Sequence, residues 1–290
     1  MKKNESRLKV ISNIEKAIKE NNYNKKVEEG DPIVTPADRE KYIVNFDILR
    51  KKATNRKQAQ LAAKFADMAT KQENADTEII GLENIKDLET GIITSNHFNK
   101  VDSTVVRHVL HKIKSKKKLY IIIQEANVLN EGQVGFLFKH CYTIPVSTNY
   151  DYMINNFTPS IEKIFKNKDF VLIYPEQEMW FNYRRPRPMK IGAYHYACKY
   201  NVPIIPCFVE IRNKEEIDDE GFAKLKYVMH IMKPIYPDLT KNFKQRKYDM
   251  QKQDYELKIA KYEEVYGRKY DAPFCVEDDI AGWVEEEQEA

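Results

Sequence analysis

Cysteine is scarce and scattered: Cys141, Cys198, Cys207 and Cys275 include no C-x-x-C pair. That spacing gives neither a disulfide framework nor a zinc site, so reduced, mostly buried thiols and no bound metal are expected. Glycine is scarce too, with nine in 290 residues. Neither G-x-x-x-x-G-K nor G-x-G-x-x-G occurs, which argues against a nucleotide-phosphate loop and leaves no organic cofactor to expect. Apolar runs such as Leu119–Ile123 and Val202–Val209 are short. They fall far below the ~18 residues that suggest a membrane span. The opening MKKNESRLKV has no apolar core and does not read as a secretory signal. A cytoplasmic location is the expectation.

Charge is abundant and unevenly spread. Charged residues make up 32% of the chain and the hydrophobic set 42%, as in a well-solvated globular protein long enough to bury a sizeable core. The net charge of +4 conceals seven acids and no Lys or Arg between Glu277 and Ala290. Elsewhere 48 basic residues face 37 acidic ones (44 less those seven), a surplus of eleven. A basic body suits phosphate-bearing ligands, an anionic lipid surface or nucleic acid, and charge alone does not choose among them.

Leu8, Ile11, Ile14 and Ile18 recur at helical spacing, and Thr35-Pro36 reads as a cap with proline at the first helical position. That second helix is expected to run to about Thr70, with a break near Thr54-Asn55. Residues 1–76 thus form a helical arm. From Thr77 strands and helices alternate, giving an α/β core over 77–240. Strands are expected at Thr77–Leu82, Gly91–Ser95, Leu119–Gln124, Tyr142–Val146, Phe170–Tyr174, Pro203–Ile211 and Tyr227–Met232. Helices are expected near Val101–Ser115, Gly132–His140, Tyr152–Asn167 and Lys190–Tyr200. A long polar helix follows over 241–276, then a loose acidic tail over 277–290.

The segment GIITSNHFNKVDSTVVRHVL carries the clearest chemistry. A strand runs into Ser95-Asn96-His97, and Asp102 follows five residues later at the start of a helical pattern. On a regular helix positions five apart diverge by about 140°, so His97 and Asp102 meet only across a non-helical turn. A strand-to-helix junction supplies one, at the strand end where α/β proteins place their sites. There a carboxylate holds one imidazole nitrogen and frees the other to accept a proton. Taken alone, the pair also reads as a loop histidine beside a capping aspartate.

Two further blocks follow in order: VLIYPEQEMW at 171–180 and NVPIIPCFVEI at 201–211. With N-H-x4-D, then Y-P-E, then V-P-I-I-P, the chain resembles the glycerolipid (lysophospholipid) acyltransferases over roughly residues 77–235. The resemblance implies a parallel-rich mixed sheet wrapped by helices and preceded by a helical arm. It makes His97 the base that deprotonates an acceptor hydroxyl, and Asp102 the residue that orients it. It implies direct attack on an acyl thioester, acyl-CoA or acyl carrier protein serving as co-substrate, with no acyl-enzyme. The lack of a G-x-S-x-G elbow agrees. Asn96 would fix the turn, Pro175 and Glu176 would match the third block's F-P-E with Tyr174 for its Phe, and Val202–Pro206 would line the acyl pocket.

Departures from the family pattern concern the acceptor. The usual F-P-E-G-T-R arginine is replaced by Met179, and Tyr183-Arg184-Arg185-Pro186-Arg187 follows instead. Arg184 and Arg185 are therefore the candidate phosphate ligands, while Arg187 reads as a solvated loop residue. The second block, Gly135–Lys139 through Ile144-Pro145-Val146, keeps its outline with Thr148 where arginine is common, and Lys139 joins the substrate-binding candidates. Glu176 and Glu178 alternate and would share a face on an extended segment, but a structural or acceptor-orienting role outweighs glycosidase chemistry. His108 and His111 lie one helical turn apart and read as surface histidines; His140, His195 and His230 read as isolated. Lysines 112, 114, 116, 117 and 118 read as a solvated helix end, with anionic headgroups or an acidic carrier as the other use.

The expected function is O-acyl transfer to a lysophospholipid such as 1-acylglycerol-3-phosphate, at the inner membrane face through peripheral contact with anionic lipid, without a nucleic-acid partner. Acylation of a non-phosphorylated glycolipid or sugar, or a catalytically silent lipid-binding protein of the same fold, is the alternative.

Overall fold

The apolar segments pair into one seven-stranded sheet in the computed structural model, which describes residues 3–30, 32–46 and 53–285. The strands are β1 (Glu78–Ile80), β2 (Gly91–Thr94), β3 (Leu119–Gln124), β4 (Thr143–Val146), β5 (Phe170–Ile173), β6 (Ile204–Ile217) and β7 (Ala223–Ile231). Their order is β1-β7-β6-β2-β5-β3-β4. Only the β6–β7 pair is antiparallel. The alternation of strand and helix patterns implies the α/β class, and the mixed, mostly parallel sheet is the one that the resemblance implies.

Both faces are covered, which is why the central strands read as continuous apolar runs. Successive residues point to opposite sides. Ile92, Val171 and Ile204 pack with helices α5 (Thr158–Lys166), α6 (Gly192–Tyr200) and α7 (Phe243–Tyr266). Ile93, Leu172 and Ile205 pack with Val105, Val106 and Val109 of α3 (Asp102–Lys112). Helix α4 (Gly132–His140) lies beside α2 (Ala53–Glu73). Gly135 permits the tight approach of Asn130, since a Cβ there would sit 1.9 Å from the Asn130 carbonyl oxygen.

The structure adds to or changes several sequence readings. The N-terminal helix α1 (Glu5–Lys19) buries Val10, Ile11, Ile14 and Ala17 against Trp180, Phe181, Tyr183, Phe222 and Ile280, so its apolar face belongs to the core. Thr35 does cap a helical turn, in a capping box with Asp38, but the turn continues as a π-helix, Arg39–Val44. The continuation toward Thr54-Asn55 passes through residues 47–52, outside the described residues. The acidic end is not loose as far as it is described: Asp279, Ile280 and Ala281 are buried, and residues 286–290 lie outside the described residues. Finally, His230 is not isolated, because its Nε2 lies 2.9 Å from Glu210 Oε2 between β6 and β7.

His108 is not a surface residue either. It is buried on α3, and neither ring nitrogen has a hydrogen-bond partner. Burial, then the charges of Lys112 and His111, push its imidazole below the ordinary histidine value; His195 is shifted the same way by burial, Lys247 and Lys199. With a folded pKa below the unfolded one, the unfolded chain binds the extra proton, so stability is present above about pH 6.5 and falls as the solution is acidified. Urea unfolding is expected to show that loss between about pH 7 and pH 5, and His108→Leu is expected to flatten it. An unchanged acid limb in the variant would count against this cause.

Candidate active site

β2 ends at Thr94, and the chain turns through Ser95-Asn96-His97 into α3. Asn96 is buried, and its side-chain amide continues the β2–β6 ladder after the backbone has turned away. Its Nδ2 donates to the Val209 carbonyl (3.0 Å), and its Oδ1 accepts from the Val209 N–H (2.8 Å). Asn99 Oδ1 accepts from the Val101 N–H at 3.1 Å, closing the turn before the helix. Asp102 is the first residue of α3, where the helix dipole favours a carboxylate.

The turn brings His97 and Asp102 together. His97 Nδ1 lies 2.6 Å from Asp102 Oδ2, which also accepts from the Phe98 N–H at 3.2 Å. The Asp102 side chain is 4% exposed and that of His97 21% exposed, so a buried carboxylate supports a ring that solvent reaches. Nε2 makes no hydrogen bond to the described residues.

Tyr174, read from the sequence only as a replacement for phenylalanine, completes the carboxylate's shell. Its hydroxyl donates to Asp102 Oδ1 at 2.6 Å, and its ring stacks on His97 with centroids 4.1 Å apart. Burial, followed by the Asp102 charge, pushes the phenol well above its ordinary pKa and keeps it a donor.

Beneath the turn sits a second buried ion pair. Glu176 Oε2 lies 3.0 Å from Arg187 Nη2, and the Glu176 carboxylate accepts from the backbone N–H groups of His97 (3.3 Å) and Arg187 (3.0 Å). Arg187 is fully buried, not a solvated loop residue. Its guanidinium lies 4.6 Å from the Trp180 ring centroid and donates to the carbonyls of His97, Tyr23 and Glu178. The loop after α1 is pinned here too: Asn24 Nδ2 donates to Glu176 O (3.1 Å) and Pro188 O (3.2 Å), and Trp180 Nε1 to Lys25 O (2.9 Å). The Pro175 carbonyl accepts from the Lys190 N–H at 2.7 Å, joining the block to the start of α6. Glu176 and Glu178 do not share a face, because Gln177 turns the chain at φ +70° and Glu178 Oε1 accepts from Gln124 instead (2.7 Å).

The arginines expected to bind phosphate are engaged elsewhere. Arg185 is buried, bonds both Asp279 oxygens at 2.6 Å, and donates to the carbonyls of Tyr270 (3.0 Å), Ala272 (2.5 Å) and Pro273 (2.9 Å). Arg184 donates to Ile211 O (3.3 Å), Asp278 O (2.8 Å) and Asn213 Oδ1 (2.9 Å). Both hold the C-terminal segment against the sheet. Lys139 turns its ammonium to Asn130 O at 3.2 Å, within its own loop-helix unit. No group of three or more His, Cys, Asp or Glu among the described residues is arranged to hold a metal.

Losing one partner of a buried pair leaves a charge uncompensated. Arg187→Ala is therefore expected to cost about 3–5 kcal/mol, whereas the half-exposed Arg184→Ala should cost only about 1 kcal/mol. Denaturant unfolding would measure both, and equal losses would contradict the burial argument.

An acyltransferase family model matches residues 76–210, the stretch from β1 to the middle of β6. No curated protein matches the sequence. Among solved structures the fold is similar to the 1-acyl-sn-glycerophosphate (LPA) acyltransferase PlsC from Thermotoga maritima, at 18% identity and a TM-score of 0.51, covering 78% of this chain and 88% of that one. The ordered motifs at His97, Pro175 and Pro203 lie inside the stretch that the acyltransferase model matches, and over that stretch the chain is similar to the acyltransferase family.

Proposed function

We propose that the protein transfers a fatty acyl group from an acyl thioester, acyl-CoA or acyl carrier protein, to a hydroxyl of a lysophospholipid such as 1-acylglycerol-3-phosphate. The observation that carries this reading is the 2.6 Å contact between His97 Nδ1 and a buried Asp102, on a ring whose other edge is open. A carboxylate accepting from Nδ1–H leaves the lone pair on Nε2. Nε2 then takes the acceptor's hydroxyl proton as its oxygen attacks the thioester carbonyl carbon. The tetrahedral intermediate collapses with cleavage of the C–S bond, and the imidazolium returns the proton to the departing thiolate. Asp102 steadies the imidazolium, and Tyr174 and Phe98 hold Asp102 in place.

Thiol release from acyl-CoA in the presence of mixed lysolipids tests the reaction. His97→Ala is expected to lower kcat by about 10²- to 10⁴-fold, and Asp102→Asn to cut it strongly as well. Tyr174→Phe removes one charge-assisted donor and should cost about tenfold. A folded His97→Ala variant with near-normal turnover would remove the base from this mechanism, and wild-type protein without thiol release would favour a silent lipid-binding role.

A second reading concerns the acceptor. With Arg184, Arg185 and Arg187 all engaged by protein groups, a neutral glycolipid or sugar hydroxyl fits the site without a phosphate clamp. Paired phosphorylated and neutral acceptors separate the two by their kcat/KM ratio.

Among the described residues no helix is long and apolar enough to cross a membrane. Contact with lipid is assigned to the outer face of α2, since α1 is committed to the core. Leu61, Phe65 and Met68 are exposed at helical spacing, and the exposed Lys57, Lys64 and Lys71 run alongside at seven-residue intervals. An apolar stripe edged by lysines suits an anionic bilayer surface. Replacing Leu61, Phe65 and Met68 together by serine is expected to abolish sedimentation with phosphatidylglycerol vesicles, and salt to weaken the wild-type binding. Equal binding to phosphatidylcholine vesicles would contradict the assignment.

A further inference from the structure

Helix α7 lies outside the matched acyltransferase residues, yet it drives an ion pair into the core beneath β2. Asp254 and Lys258 have fully buried side chains, with Lys258 Nζ 2.8 Å from Asp254 Oδ1. Both converge on Thr94, the last residue of β2. Lys258 Nζ donates to Thr94 Oγ1 at 2.9 Å, and Thr94 Oγ1 donates to Asp254 Oδ2 at 2.7 Å. Tyr194 of α6 donates to the same Asp254 oxygen at 2.7 Å. The side chain of Thr94 points to the face that Ile92 also occupies, as strand alternation requires.

A buried ion pair is a weak source of stability, because the desolvation of two charges offsets their attraction. Apolar residues of similar volume serve a core as well or better. What the pair does supply is directionality. A hydroxyl held between a fixed ammonium and a fixed carboxylate has one position, and an apolar contact would leave it free to slide. Thr94 is three residues from His97, and the intervening Asn96 is itself clamped to Val209. The end of β2 is thus fixed from the α7 face by Thr94 and from β6 by Asn96 before the chain enters the turn that presents the imidazole.

We propose that Asp254 and Lys258 act through Thr94 as positioning residues for His97, so that the C-terminal helix sets the geometry of a site whose reacting groups all lie in the acyltransferase segment. The proposal rests on His97 being the base. A displacement of about 1 Å at a reacting group is enough to cost up to roughly a hundredfold in rate, and that displacement is what the pair prevents.

The test is Thr94→Val, which keeps shape and removes the hydroxyl, beside Thr94→Ser, which restores it. Turnover is read with acyl-CoA and lysophosphatidate, and the low-field proton resonance of the His97–Asp102 hydrogen bond by NMR. Thr94→Val is expected to lower kcat about ten- to hundredfold with the KM for acyl-CoA within about twofold, and to shift or broaden the imidazole resonance; Thr94→Ser returns both. If Thr94→Val does not fold, Asp254→Leu combined with Lys258→Met replaces the pair by apolar groups and is read the same way. Wild-type kcat in the folded variant overturns the proposal, whatever happens to its melting temperature. So does a fall in kcat with an unmoved resonance, since the effect would not then pass through His97. His97→Ala in the same assay separates the two levels: if it keeps full activity, the base assignment fails, and if only the Thr94 series is silent, the positioning role fails alone.

Discussion

A carboxylate buried away from water must have its charge met by donors that the fold supplies. Asp102, with its side chain 4% exposed, is met by the Phe98 N–H, the Tyr174 hydroxyl and His97 Nδ1. Each donor comes with a structural condition. The Phe98 amide requires the non-helical turn after β2, Tyr174 requires β5 to lie beside β2, and His97 requires the turn to point its ring back over the helix start. The parallel pairing of Thr94 with Ile173 meets the second condition, and the Asn96–Val209 amide bonds help meet the first and third. The site is therefore a property of three neighbouring strands rather than of one motif.

The second buried pair extends the same logic outward. Glu176 and Arg187 sit under the turn, and through Arg187, Trp180 and Asn24 they tie the loop after α1 to the third block. Arg185 and Asp279 repeat the device for the C-terminal segment. These two buried pairs thus act as long-range fasteners. The terminal segments are attached at Arg187 and Arg185, close in sequence to Tyr174 and Glu176 and, for Arg187, in direct contact with the His97 carbonyl.

The local patterns were legible in the sequence. Alternating β and helical periods located the seven strands to within a few residues at most ends, and a histidine five residues from an aspartate required a turn at a strand end. Partners far apart in sequence were not legible. Arg187 reads as a loop residue because its partners include Tyr23, 164 residues away, and Arg185 reads as a free cation because Asp279 is 94 residues away. α7 reads as a polar helix because Asp254 and Lys258 neutralise each other inside the core, a fact that hydropathy does not register. His108 misleads in the same way: a polar residue type predicts a surface, yet α3 buries it without a hydrogen-bond partner. The hydroxyl of Tyr174 was visible as a departure from phenylalanine, but its use became evident only once β5 placed it against Asp102.

The most direct measurement of the central claim is the tautomer of His97 in the resting protein. Long-range ¹H–¹⁵N correlation of the imidazole, assigned by loss of the signal in His97→Ala, reads which nitrogen carries the proton. The proposed mechanism, resting on the 2.6 Å contact with Asp102, predicts the proton on Nδ1 and a free lone pair on Nε2. A neutral ring protonated at Nε2 instead would contradict the proposal, because the nitrogen to which it assigns the acceptor's proton would then have no free lone pair.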